Sequence, residues 1–170
     1  MNRRILSLAL VALIALLVIT VPAFASTATD VSGTMGWAGA PTNFEERTAG
    51  DNCIMEMDLP YWFDGDMQGF ASFHFRIVSH GACPAGPFQY SENLKARGTF
   101  VGSLGDKAGS LDLKFVSTAW PAEPGELALV GKIFILSGTE GLANLHGLLD
   151  VSFIMGDPYD YYSGQFHFDP

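Results

Sequence analysis

The sequence predicts an all-β domain over residues 26–170, a single eight-stranded antiparallel barrel, on three observations. Short stretches alternate apolar and polar residues, turn residues separate those stretches, and glycines fall inside several of them. No segment beyond residue 25 carries a helical stripe. The composition agrees. A chain that is 48% hydrophobic and only 16% charged is neither disordered nor a coiled coil, and 170 residues suit one domain rather than two.

Residues 1–25 have the pattern of a signal peptide. Arg3 and Arg4 precede the apolar run Ile5 to Ile19, and Ala23-Phe24-Ala25 supplies a small-x-small cleavage site after Pro22. The run falls short of the roughly 20 residues that span a bilayer. Cleavage is therefore expected, with a retained anchor as the alternative, and the mature chain would begin near Ser26. This implies a secreted or periplasmic protein with no stable membrane span. Loss of the leader takes the formal charge from −9 to −11. Such acidity argues against nucleic-acid partners, which need clustered Lys and Arg.

The strands follow in order. Val31–Trp37 and Cys53–Leu59 come first, then Met67–Ser79, the clearest of all. There the odd positions Met67, Ala71, Phe73, Phe75 and Ile77 are apolar, while Gln68, Ser72, His74 and Arg76 form a polar face. Leu94–Ser103 and residues 110–117 continue the alternation. Leu127–Leu136 and Leu145–Met155 are more continuously apolar, as in strands covered on both faces. Residues 161–168 close the set. Turn signals between strands include Gly50-Asp51-Asn52, Gly105-Asp106 and Gly138 to Gly141. Eight strands without helices make a sandwich or a barrel, and interior glycines such as Gly33, Gly69, Gly98 and Gly131 favour the bends of a barrel. Met35, Phe73, Phe75, Leu111 and Phe115 are the candidate core.

Cys53 and Cys83 are the two cysteines of the chain. In an exported protein such a pair is expected to form one disulfide.

Two longer patterns carry a resemblance. Gly98-Thr99-Phe100-Val101-Gly102 runs into Leu104 to Leu111, and Leu136-Ser137-Gly138-Thr139-Glu140-Gly141-Leu142-Ala143-Asn144-Leu145-His146-Gly147 follows, with Phe63 to Gly69 upstream. This order resembles a bacterial family of small uncharacterised domains with the allene oxide cyclase-like barrel, the fold also used by plant dirigent proteins. The resemblance spans about residues 30–168. It implies an eight-stranded antiparallel barrel with a central cavity, and it implies no reaction. In the residues themselves, Gly138 suits a tight turn at positive φ, Thr139 a local cap, and Leu142 and Leu145 a plug for the barrel end.

Candidate site residues are Tyr61, Trp62, His74, Arg76, Asp150 and Tyr161. Tyr61 and Trp62 stand among acids in the segment from Glu56 to Asp66, and Tyr161 lies near Asp157 and Asp160. Together these could line a barrel mouth suited to aromatic ligands. His74 and Arg76 share one strand face, which is solvated if it points outward and a polar wall if it points inward. Asp150, inside an apolar run, faces outward, pairs with Lys132, or acts as an acid or base in a cavity. The four histidines show no metal-ligand spacing, no nucleophile or phosphate-loop motif occurs, and no cofactor is implied. The function expected is binding of a small apolar or aromatic ligand, in or at the mouth of the barrel. The alternatives are a cyclase- or isomerase-like enzyme acting by cavity shape, and a secreted inhibitor or interaction module. A homo-oligomer is compatible with the sequence.

Overall fold

The computed structural model describes residues 27–85, 89–121, 127–154 and 157–169, so the expected leader at residues 1–25 lies outside the described residues. Nine strands run in chain order: β1 (Thr29–Trp37), β2 (Thr42–Ala49), β3 (Asn52–Gly65), β4 (Met67–Ser79), β5 (Glu92–Leu104), β6 (Lys107–Ala119), β7 (Leu127–Gly138), β8 (Leu145–Ile154) and β9 (Asp160–Phe168). A single turn of 3-10 helix, Glu140–Leu142, precedes β8. Each strand from β3 to β9 pairs antiparallel with the next, and β1 pairs with both β9 and β3. Eight strands thus close a barrel and β2 is additional. Among the described residues no helix is long and apolar enough to cross a membrane.

The period-two pattern decides the inside. Met67, Ala71, Phe73 and Phe75 of β4 are buried, and so are Leu111, Leu113 and Phe115 of β6 and Met35 of β1. Their neighbours along each strand point outward, as pleating requires. Period two also carries β5 two residues beyond its expected start, which puts Glu92 on the inner face with only 3% of its surface exposed.

The ninth strand is the main departure from the sequence reading. β2 has no apolar alternation, and every residue from Thr42 to Thr48 is exposed. It forms because β3 is longer than expected and offers a second partner along one edge. β1 pairs with residues 61–65 of β3 and β2 with residues 52–58. Pro60, the first residue past the expected strand end at Leu59, lies between the two pairings. Its missing N–H falls where β3 changes partner, and its carbonyl accepts a hydrogen bond from the Ala38 N–H at 2.8 Å.

Two further expectations are corrected. The barrel wall is a single layer, so the apolar strands β7 and β8 are not covered on both faces. Val130, Leu136 and Leu148 are exposed on the outside. In the Ser137-Gly138-Thr139 turn, positive φ falls on Glu140 and Asn144 rather than on Gly138. Gly138 is needed for close approach instead, because a Cβ there would stand 2.0 Å from the Leu142 carbonyl oxygen. Thr139 makes no local cap. Its hydroxyl bonds across to Ser110, Oγ to Oγ at 2.8 Å. Leu142 and Leu145 are fully buried, as a plug requires.

That plugged end is also locked by Tyr162. Its hydroxyl accepts the Met67 N–H at 2.9 Å and donates to the Asp64 carbonyl at 3.1 Å, tying β9 to the β3–β4 hairpin. Gly33 leaves room for this contact, since a Cβ there would meet the Tyr162 oxygen at 2.4 Å. Burial pushes the Tyr162 phenol up to about 12.

Candidate functional site

Among the described residues the opposite end of the barrel has no plug, for a reason written in the strand pairing. β1 leaves β9 after the pair Met35–Asp160 and runs on through Trp37 into β2, so the wall has no β9 neighbour beyond that point. The inward residues Met57, Leu59, Tyr61, Phe75, Ile77 and Leu94 line a cavity of about 350 Å³ there. Trp37 and Phe44 form its rim and remain 61% and 52% exposed. Large aromatic side chains left that open beside a cavity are unusual for a packed core and normal for a ligand mouth.

The rim is held by the Cys53–Cys83 disulfide, which joins the start of β3 to the β4–β5 connection. The same connection reaches β2, where the Ala85 N–H donates to Glu46 Oε1 at 3.3 Å. Ala85 thereby becomes part of the cavity wall. Glu46 and the two sulfurs also lie close together. With both sulfurs in a disulfide, however, neither is a thiolate, and the group is no metal site.

The polar groups of the open end are few. Trp37 donates its indole N–H to the Tyr61 hydroxyl at 2.7 Å. Burial first, and the charge of Asp160 second, hold the Tyr61 phenol well above its ordinary value. Asp160 occupies an inward position of β9 between Met35 of β1 and Phe153 of β8. Burial among these neighbours pushes its carboxyl up to about 7. Glu92 lines the cavity, and Ser79 is its direct partner across β4 and β5. The hydroxyls of Ser79 and Ser117 are buried and have no hydrogen-bond partner among the described residues.

Of the six site residues expected from sequence, Tyr61 is the one inside the cavity. Trp62, next along β3, faces outward and stacks edge-on against Tyr159 with ring centroids 5.4 Å apart. His74 and Arg76 also point outward, on the polar face of β4, so the inward alternative does not hold for them. His74 Nδ1 lies 2.8 Å from Asp58 Oδ1 and Arg76 Nε lies 3.3 Å from Glu56 Oε1. Hydrogen bonds from Asn43 and His74 hold the Asp58 carboxyl below its ordinary value. Asp150 is outward as well and pairs with Lys132 at 2.5 Å, directly across β7 and β8. Tyr161 donates its hydroxyl to Asp157 at 2.6 Å, and this bond is the main reason its phenol is raised. Asp150 and Tyr161 border one shallow outer groove with Thr34 and Ser152. None of this group reaches the interior, because each stands at the alternate position to a buried neighbour.

Sequence reasoning passed over Trp37, Phe44 and Glu92, and it placed Asp160 only as a neighbour of the tyrosines. The alternation Val31, Met35, Trp37 on β1 and Ala96, Leu94, Glu92 on β5 was the available signal. At the plugged end His146 and His167 are cross-strand partners, and both approach Asp169, at 3.4 and 3.3 Å. All three side chains are about half exposed, and this cluster is remote in sequence terms from any motif.

A scan of family models and a search of curated proteins match nothing to this chain. Among solved structures, the chain is similar to a protein of unknown function from the DUF3224 family of Shewanella oneidensis MR-1. The two are 18% identical with a TM-score of 0.66, over 85% of this chain and 99% of that one. At that identity the likeness shows a shared fold and no more.

Proposed function

We propose that this protein is an exported barrel that binds a small apolar or aromatic ligand at its open end. The observation that carries this is the cavity of about 350 Å³, apolar along its walls and rimmed by exposed Trp37 and Phe44. A volume of that size suits a ligand of modest size. The expected leader and the disulfide support an extracytoplasmic setting, since disulfides persist in oxidising compartments. The resemblance to allene oxide cyclase-like barrels is consistent with a ligand held in the lumen, and it supplies no catalytic residue.

The neutral aromatic probe N-phenyl-1-naphthylamine tests this. It should brighten saturably at one site per barrel, and Leu94→Trp, which fills the cavity from β5, should abolish the response while far-ultraviolet circular dichroism stays unchanged. Absence of saturable binding to the unaltered protein would refute the proposal.

One observation favours a second reading. A carboxyl near 7 beside a buried phenol can take up or release a proton at neutral pH, as acid–base catalysis requires. In that reading Asp160 and Tyr61 serve an isomerase or cyclase acting on the bound molecule. Product analysis of whatever copurifies with the native protein separates binder from enzyme, because a binder returns its ligand unchanged.

A further inference from the structure

The outer wall carries one concentrated positive patch, in a chain whose formal net charge is −9. Seven Lys and Arg lie beyond residue 25. Five of them, Arg76, Lys95, Arg97, Lys114 and Lys132, fall on the outer face of the four consecutive strands β4 to β7. The registers gather these five into two adjacent rows. Arg76 stands directly opposite Lys95, and Val116 carries that row on to Lys132. In the next row His74 is opposite Arg97, and Arg97 is opposite Lys114. With strands about 4.8 Å apart, the patch is about 15 Å wide.

Acids on the flanking strands meet only its margins. Arg76 pairs with Glu56 and His74 lies against Asp58, both on β3, and Lys132 pairs with Asp150 on β8. Among the described residues no ion pair engages Lys95, Arg97 or Lys114 at the centre. The Lys114 ammonium lies over the Phe134 ring instead, 5.4 Å from its centroid. Asp112, one row beyond Lys114 on β6, accepts a hydrogen bond from Ser137 Oγ at 2.9 Å. Like charges directly opposite across a sheet are destabilising. The pairs Arg76–Lys95 and Arg97–Lys114 therefore work against the fold, and a partner that brings negative charge would relieve them. In physiological salt the screening length is about 8 Å, so a ligand on this wall meets the patch rather than the net charge of the chain.

The shape of the patch narrows the partner. Its uncompensated centre occupies β5 and β6 alone, between acids on β3 and β8 that would repel a broad anionic surface such as a bilayer. No exposed aromatic ring stands within the two rows, whereas binding of single-stranded nucleic acid relies on such rings to stack its bases. A single sugar chain is narrow, and its hydroxyls can bond to the bordering carboxylates or to the exposed Ser72, Thr99 and Thr118 on the adjoining rows. Carboxylates on such a chain suit the guanidinium fork of Arg97 and the ammonium of Lys95. We propose that this wall is a second binding site, outside the barrel, for one chain of an acidic polysaccharide bearing uronate carboxylates.

Polygalacturonate and its neutral methyl ester, passed over the immobilised full mature protein, test this. Polygalacturonate should bind at low ionic strength and weaken as salt rises, and the methyl ester should not bind. The triple variant Lys95→Gln, Arg97→Gln, Lys114→Gln should weaken polygalacturonate about tenfold or more, and Arg97→Gln alone severalfold. Arg47→Gln with Lys107→Gln, which removes positive charge outside the patch, should change it less than about twofold. Circular dichroism certifies that each variant is folded. No binding, equal binding of the methyl ester, or binding untouched by the triple variant overturns the site. Tighter binding to phosphatidylglycerol vesicles or to single-stranded DNA than to polygalacturonate overturns the choice of partner. The cavity reading stands apart from all these outcomes, since N-phenyl-1-naphthylamine should bind equally with polygalacturonate present.

Discussion

The two ends of this barrel each place one inward tyrosine near the rim, and the two phenols lead different lives. Tyr162 is packed under the plug of Leu142 and Leu145, with its oxygen committed to the backbone of Met67 and Asp64. Tyr61 is buried too, but among the described residues its oxygen meets the indole of a 61% exposed Trp37 rather than the backbone, and a cavity lies beside it. Both positions follow from the same alternation. The difference is closure. At one end hairpins and a 3-10 turn fold over the lumen, whereas at the other β1 departs from β9 and nothing among the described residues takes its place as a plug. A single fold thus separates a stability-bearing end from an end free to be functional.

Mutations should sharpen that contrast, and the largest effect belongs to the plugged end. Phe100 is fully buried and meets Phe63 edge-to-face at 5.5 Å. Phe100→Ala should cost about 3–5 kcal/mol in denaturant unfolding. A loss similar to that of Phe44→Ala at the open rim, expected within about 0.5 kcal/mol, would break the comparison.

The next effect joins the two ends through the unfolded chain. Replacing Cys53 and Cys83 by serine should lower stability by about 3–4 kcal/mol, as expected for a loop closed across 30 residues. It should also weaken probe binding at the open end, where the bridge fixes the rim. Unaltered probe binding in a folded double variant would show that the rim does not need its staple.

Smaller is Tyr162→Phe, which leaves the buried Met67 N–H without its acceptor and should cost about 1–3 kcal/mol. Calorimetric unfolding checks it, and no change in probe affinity is expected, since the hydroxyl lies at the far end.

The smallest effect is a slope rather than a loss. Asp160 has its folded value raised to about 7 from an ordinary 3.8. Between those values the folded protein holds a proton that the unfolded chain has released. Its contribution to stability is therefore full below about 4, falls as pH rises towards 7 and is flat above. Asp160→Asn should flatten the stability profile across that window by at most one proton's worth of slope. A profile unchanged by the substitution would mean that the open end does not bury this carboxyl.

Much of the barrel was legible because period two is a direct consequence of pleating. Met67 to Ser79 announced its inner face residue by residue. β2 was not legible, since nothing along it alternates and its existence depends on the length of β3, a property of the neighbour. The candidate site was legible in part. Tyr61 stood out for its chemistry, but Trp62, His74 and Arg76 stood out equally, and each fell on the outer face. The Lys132–Asp150 pair required a register that no local pattern encodes.

By itself the sequence determined the class of the fold, the identity of the core face on most strands and the pairing of its only two cysteines, because each follows from local alternation or from a count. Where the barrel closes and where it stays open belonged to the tertiary structure alone. That choice rests on β1 exchanging β9 for a free edge after Met35 and on which strand runs past which neighbour. Those are long-range registers, and a chain fixes them only when its distant segments meet.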